Sequence, residues 1–122
     1  MATESTLVLV VDDEPLNVDL LEQELDGAGL WTLAATSGEE ALALAAKNSP
    51  DLILLDMRMG GLDGYETCRR LKANEATRVI PVIFLTALTD TFEKVRAFEA
   101  GAVDYVTKPF ALCTRVRHER RL

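Results

Sequence analysis

The stretch "VLVVDDEPLN", residues 8–17, runs four apolar residues straight into Asp12, Asp13 and Glu14. Crowding carboxylates at a strand's end gains no stability: two of them about 4 Å apart repel by roughly 4 kcal/mol at an effective dielectric of about 20. Asp56 emerges in the same way from "LILL", Thr86 from "PVIFL", and Lys108 lies just past "VDYVT". Converging carboxylates call for a hard cation. Mg²⁺ suits them, because it takes one or two protein carboxylates, keeps several waters and adds phosphate oxygens. Lys108 supplies an ammonium, Thr86 a hydroxyl donor, and one carboxylate is left to attack. The chemistry that fits is phosphoryl transfer to a carboxylate, where catalysis is mostly positioning and charge neutralisation. Singly these residues say little. Asp13 or Glu14 alone reads as a helix cap, Thr86 as a turn residue and Lys108 as a solvated lysine. The specificity lies in the constellation.

The surrounding pattern explains how they meet. Leu7 to Val11 reads as a buried strand, and Pro15 as the first residue of a helix with Val18, Leu21 and Leu25 inward, ended near Gly27 and Gly29. Trp31 to Ala35 is a weaker strand, with Trp31 expected in packing. Ser37 and Glu40 open a helix that stops before Pro50. Leu52 to Leu55 is a strand apolar on both faces. Asp63 and Glu66 cap a helix showing Tyr65, Cys68 and Leu71. Pro81 to Leu85 is the next strand. Asp90 and Glu93 cap a helix with Phe92, Val95 and Phe98 that ends at Gly101, Val103 to Val106 is the last strand, and a final helix starts at Phe110. Five βα units with strands apolar throughout specify a parallel sheet covered by helices on both faces. Right-handed crossovers make it doubly wound, with ligands at the carboxyl ends of the strands. Asp12, Asp13, Asp56, Thr86 and Lys108 all fall on that edge.

Composition narrows the function classes. At 122 residues, with 48% hydrophobic and 27% charged residues, the chain is one globular domain, residues 1–122, with a core of about 6–120. Its longest apolar run, Val79 to Leu85, is broken by Pro81 and is far too short to span a bilayer. The start, "MATESTLVLV", has no basic leader, and Cys68 and Cys113 fit no staple or metal pair. A cytoplasmic location and free thiols follow as expectations. The net charge of −7 argues against nucleic acid as a direct partner. Residues 1–56 carry twelve acids against Lys47 alone, and the remainder is net basic. The end, "RVRHERRL", reads as the close of a helix whose cations favour the macrodipole, or as the lead into an output domain. His118 lacks any supporting context for metal binding or phosphodonation.

The motifs "VLVVDDEP", "DLILLDMRMGGLDGYE", "PVIFLTA" and "AGAVDYVTKPF" occur in order over nearly the whole chain. Together they resemble the receiver domain of response regulators in two-component signalling, a flavodoxin-like fold with strand order 2-1-3-4-5. The resemblance implies that Asp56 accepts phosphate from the phosphohistidine of a sensor histidine kinase or a phosphotransfer protein. Asp13, Asp56 and the backbone carbonyl of Arg58 would ligate Mg²⁺ (or Mn²⁺), with Asp12 acting through a bound water. Lys108 would pair with the phosphoryl oxygens, Thr86 and Tyr105 would move as the switch, and Lys108–Pro109 would be a cis peptide. Such a domain is a phosphoacceptor that catalyses only its own phosphorylation and dephosphorylation. It would pair with a fused output domain, a homodimer partner on the face of the last two strands and helices, or both.

Two features depart from the family's usual pattern. Gly60 stands where a proline commonly follows the methionine, which makes the loop "MGGLDG" more permissive. Arg58 is bulky and charged, and with Leu88 it is expected to set the rate of acyl phosphate loss; Ala87 is small enough to let the Thr86 loop approach. "GAVDY", where winged-helix regulators often read "GADDY", favours an attached signalling enzyme as output. Three other readings compete. A flavin mononucleotide module would need a Ser/Thr/Gly phosphate cradle in place of "DDEP". An aspartate-nucleophile phosphatase would need a second acid at position 58. A degenerate receiver, acting only as a protein-interaction module, would have no need of Asp13, Asp56, Thr86 and Lys108.

Overall fold

A computed structural model describes residues 6–57, 59–86, 95, 98–102 and 104–107. Its elements run β1 (Leu7–Val11), α1 (Pro15–Gly27), β2 (Trp31–Ala35), α2 (Gly38–Asn48), β3 (Leu52–Asp56), α3 (Gly64–Ala73), β4 (Val82–Thr86) and β5 (Asp104–Thr107). The strands form one parallel sheet in the order β2-β1-β3-β4-β5. The doubly wound parallel architecture expected from the apolar runs is the one observed.

Alternation along the strands sorts the core into two halves. Val8 and Val10, Leu52 and Leu54, and Ile83 and Leu85 pack with Leu21 and Leu25 of α1. Leu9 and Val11, Ile53 and Leu55, and Val82 and Phe84 face the other way, onto Ala41 and Ala45 of α2 and Cys68 and Leu71 of α3. β3 sits at the centre and is buried along its whole length. Each large apolar side chain removed from water contributes roughly 1.5–3 kcal/mol. The alanines of α2 let it lie close: a Cβ added at Gly38 would collide with Thr67 Oγ1 of α3.

The helix starts show both the expected chemistry and a variation on it. Asp63 caps α3, its Oδ1 accepting from Glu66 N–H at 2.8 Å. Ser37 caps α2 through Glu40 N–H at 3.1 Å, but the Glu40 carboxylate reaches past Ser37 to the Thr36 N–H at 2.9 Å. Pro15 opens α1 with no side-chain cap. One expectation is corrected. Trp31 is 66% exposed, because it begins an edge strand and no element among the described residues covers its ring. Val95 and Phe98 are about half exposed, at 48% and 49%. The start of the fourth helix, the final helix, Cys113 and His118 lie outside the described residues.

Candidate functional site at the carboxyl edge of the sheet

Hydrogen bonding carries the two central strands one step further than hydrophobicity alone implies. Asp56 is the last residue of β3, in register with Leu85, and Met57 N–H continues the ladder to Leu85 O at 3.2 Å. β4 runs through Thr86, whose register partner is Thr107 of β5. On the other side of β3, the Val11–Leu55 pairing of β1 brings Asp12 alongside Asp56.

The structure gathers three of the expected residues. One carboxylate oxygen from each of Asp12, Asp13 and Asp56 lies within 4.8 Å of the others. Asp12 and Asp56 are buried, at 1% and 8% exposed, while Asp13 is open to solvent. At that separation the buried pair repels by about 3.5 kcal/mol for an effective dielectric of about 20; the exposed Asp13 is screened more. Asp12 Oδ1 accepts the Glu14 N–H at 3.0 Å, which turns the chain into α1. Asp13 Oδ2 accepts the Gly60 N–H at 3.1 Å from the loop after β3. The donor set is all oxygen and anionic, facing solvent through Asp13, and it fits a hard divalent cation better than a soft metal.

The loop from Met57 to Asp63 folds back onto Asp56. Gly64 N–H donates to Met57 O at 3.2 Å, and a Cβ at Gly64 would strike the Asp56 carbonyl oxygen and come within 2.9 Å of Met57 Cα. Only glycine fits there, so α3 begins pressed against the backbone that carries Asp56. Sequence reasoning missed Gly64 and the Gly60 amide. The usable signal was a glycine at the first position of a helix, where it costs about 1 kcal/mol against alanine and needs a reason. Of the remaining expected residues, Thr86 and Tyr105 are placed by their strands, and Arg58, Ala87, Leu88, Lys108 and Pro109 lie outside the described residues.

Comparison with known proteins agrees with this arrangement. The response regulator receiver domain family matches residues 8–117. The chain is 45% identical over 116 residues to the response regulator PleD of Caulobacter vibrioides, covering 93% of this chain and 26% of PleD. Among solved structures, a response-regulator candidate of Chloroflexus aurantiacus J-10-fl superposes with a TM-score of 0.92 at 39% identity, covering 98% of this chain and 100% of that one. The receiver domain of the sensor histidine kinase PA1611 from Pseudomonas aeruginosa PAO1 superposes at 0.85 with 30% identity, covering 97% of this chain and 96% of that one. It carries a magnesium ion coordinated in its active-site cleft. The chain spans 26% to 53% of the length of the curated relatives compared with it. It belongs to the response-regulator receiver domains of two-component signalling.

Proposed function

We propose that this domain accepts a phosphoryl group on Asp56 from the phosphohistidine of a sensor histidine kinase or phosphotransfer protein, in a Mg²⁺-dependent step. The observation that carries the reading is the convergence of Asp12, Asp13 and Asp56 at the ends of β1 and β3. A carboxylate oxygen of Asp56 attacks phosphorus, the N–P bond breaks, and the imidazole takes the electron pair. Asp13, Asp56 and the Arg58 carbonyl would hold Mg²⁺, with Asp12 acting through a bound water, and Mn²⁺ would serve in its place; the cation would supply charge neutralisation for the carboxylates and the phosphoryl oxygens.

The new acyl phosphate adds about −1.5 to −2 charge at the edge. Lys108 pairs with it, Thr86 donates its hydroxyl, and Tyr105, in register with Phe84 one pairing step from Leu85, follows as the second switch. Arg58 and Leu88 set the lifetime of the acyl phosphate. No helix among the described residues is long and apolar enough to cross a membrane. The domain is the front module of a longer regulator, a reading supported by its spanning only part of its curated relatives.

Intact mass after incubation with Mg²⁺ and acetyl phosphate tests this. One phosphoryl adduct is expected on the wild type, sensitive to hydroxylamine and dependent on the metal, with none on Asp56→Asn. No adduct, and no binding of beryllofluoride, leaves a protein-interaction module in place of a phosphoacceptor.

A further inference from the structure

The turn from β2 into α2, residues 35–38, contributes no carboxylate, yet it touches both segments that do. On one side Asp12 N–H donates to Ala35 O at 3.1 Å. On the other, Gly38 lies against Leu62 in the loop that follows Asp56. A Cβ at Gly38 would come within 2.9 Å of Leu62 Cδ2 and 3.0 Å of Leu62 O, besides striking Thr67 Oγ1. Gly38 is not among the residues with positive φ, so space rather than backbone conformation requires glycine there.

Neither side of this contact yields easily. Glu40 Oε1 accepts the Thr36 N–H at 2.9 Å and Ser37 Oγ accepts the Glu40 N–H at 3.1 Å, which locks the turn. Thr67 is fully buried and stiff at χ1, and its hydroxyl is committed to Asp63 O at 2.7 Å. Met57 and Met59, at the start of the loop, are buried in the same apolar cluster as Ala35 and Ala41. The loop therefore rests on the start of α2 at Met57, Met59 and Leu62. A displacement at Gly38 passes to Leu62 and, through the Gly64 N–H on Met57 O, to the backbone beside Asp56.

We propose that Gly38 is a positioning residue for the candidate cation site, setting how the loop after Asp56 sits against the end of β1. The inference rests on the metal-dependent reading above. The experiment is calorimetric titration of the full chain with MgCl₂ at constant ionic strength, with thermal melting of each metal-free protein. The proteins are wild type, Gly38→Ala and Thr77→Val, the last altered at the opposite end of α3. Gly38→Ala is expected to bind Mg²⁺ about fivefold more weakly, while Thr77→Val binds as wild type although both melt lower. Wild-type affinity in Gly38→Ala overturns the proposal, and so does an equal loss in Thr77→Val. Should Gly38→Ala not fold, the lock on the turn decides. Glu40→Gln removes the charge but keeps the acceptor for Thr36 N–H, whereas Glu40→Ala removes both. Glu40→Ala is expected to bind about threefold more weakly than Glu40→Gln, and equal affinity of the two overturns the proposal. A wild type with no saturable Mg²⁺ binding brings down the metal reading and this inference together, whereas normal wild-type binding with matching variants removes this inference alone.

Discussion

At its carboxyl end α3 is closed by groups that satisfy one another, while at its amino end it abuts carboxylates that repel. Thr77, 2% exposed, donates its hydroxyl to Leu71 O at 2.7 Å, beside the longer 3.4 Å bond that this carbonyl accepts from the Asn74 N–H. Lys72 reaches the carbonyls of Arg78 and Ile80 at 3.1 and 2.6 Å, and its stem lies against Gly101, where a Cβ would sit 2.7 Å from Lys72 Cγ. Burial holds the Lys72 ammonium below its usual pKa, partly offset by Cys68. Cys68 itself donates to Ala100 O at 3.4 Å. At the other end Asp63 caps the helix and Gly64 presses on the Asp56 backbone, beside three acids within 4.8 Å. The helix thus separates two tasks. One end holds the fold, and the other anchors the carboxylates of the candidate site.

The largest test of this contrast is Gly64→Ala. The new Cβ meets backbone rather than a flexible side chain, so a loss of about 3 kcal/mol is expected in urea unfolding. A loss under about 1 kcal/mol would mean that the loop yields easily and that the amino end anchors nothing. Asp13→Asn sharpens the comparison from the electrostatic side. Without metal it should gain up to about 1 kcal/mol by relieving repulsion. It should also forgo the roughly 2.7 kcal/mol that Mg²⁺ at about 100 times its Kd gives the wild type. A metal-free destabilisation would show that the charge is not frustrated.

The third test concerns the closed end. Burial pushes the Cys68 thiol up to about 11 from an ordinary value of 9.0, against the lowering pull of Lys72. The folded state therefore retains a proton that the unfolded chain releases. This contribution is intact below about pH 9 and is lost as pH rises toward about 11, on the order of 2 kcal/mol. The decline should be shallower in Cys68→Ala, measured as the difference in slope between the two proteins; parallel slopes would refute it. The smallest expected effect is Thr77→Val, which leaves the Leu71 carbonyl with the long Asn74 N–H bond in place of the short hydroxyl one, for about 1 kcal/mol. Its deficit should be the same with and without Mg²⁺, and a metal-dependent deficit would blur the division between the two ends.

The sheet was legible because burial on both faces writes unbroken apolar runs, and because Asp12 and Asp56 each close such a run. Caps at Ser37 and Asp63 were legible because a short polar side chain three residues before a Glu has a local use. What escaped were contacts between segments distant in sequence. Nothing near Gly60 says that its amide will meet Asp13, and nothing near Gly64 says that a carbonyl lies where its side chain would be. Thr67 looks polar and outward in sequence, yet it is fully buried beneath Gly38, its hydroxyl satisfied by Asp63 O at 2.7 Å. Trp31 misled in the opposite direction, since a large aromatic at a strand's start is buried only if another element covers that edge.

The position of Trp31 has an optical consequence. It pairs with Leu7 at the amino end of the sheet, and Asp12 lies five residues further along β1, about 16 Å away at the strand rise. As the sole tryptophan, exposed in the folded chain and exposed again when unfolded, it changes surroundings little in either event that matters here. Its emission is expected to change little if a cation binds or Asp56 is phosphorylated, and through much of denaturation. Steady fluorescence in such a titration therefore says nothing about whether the carboxylates at the far end are occupied.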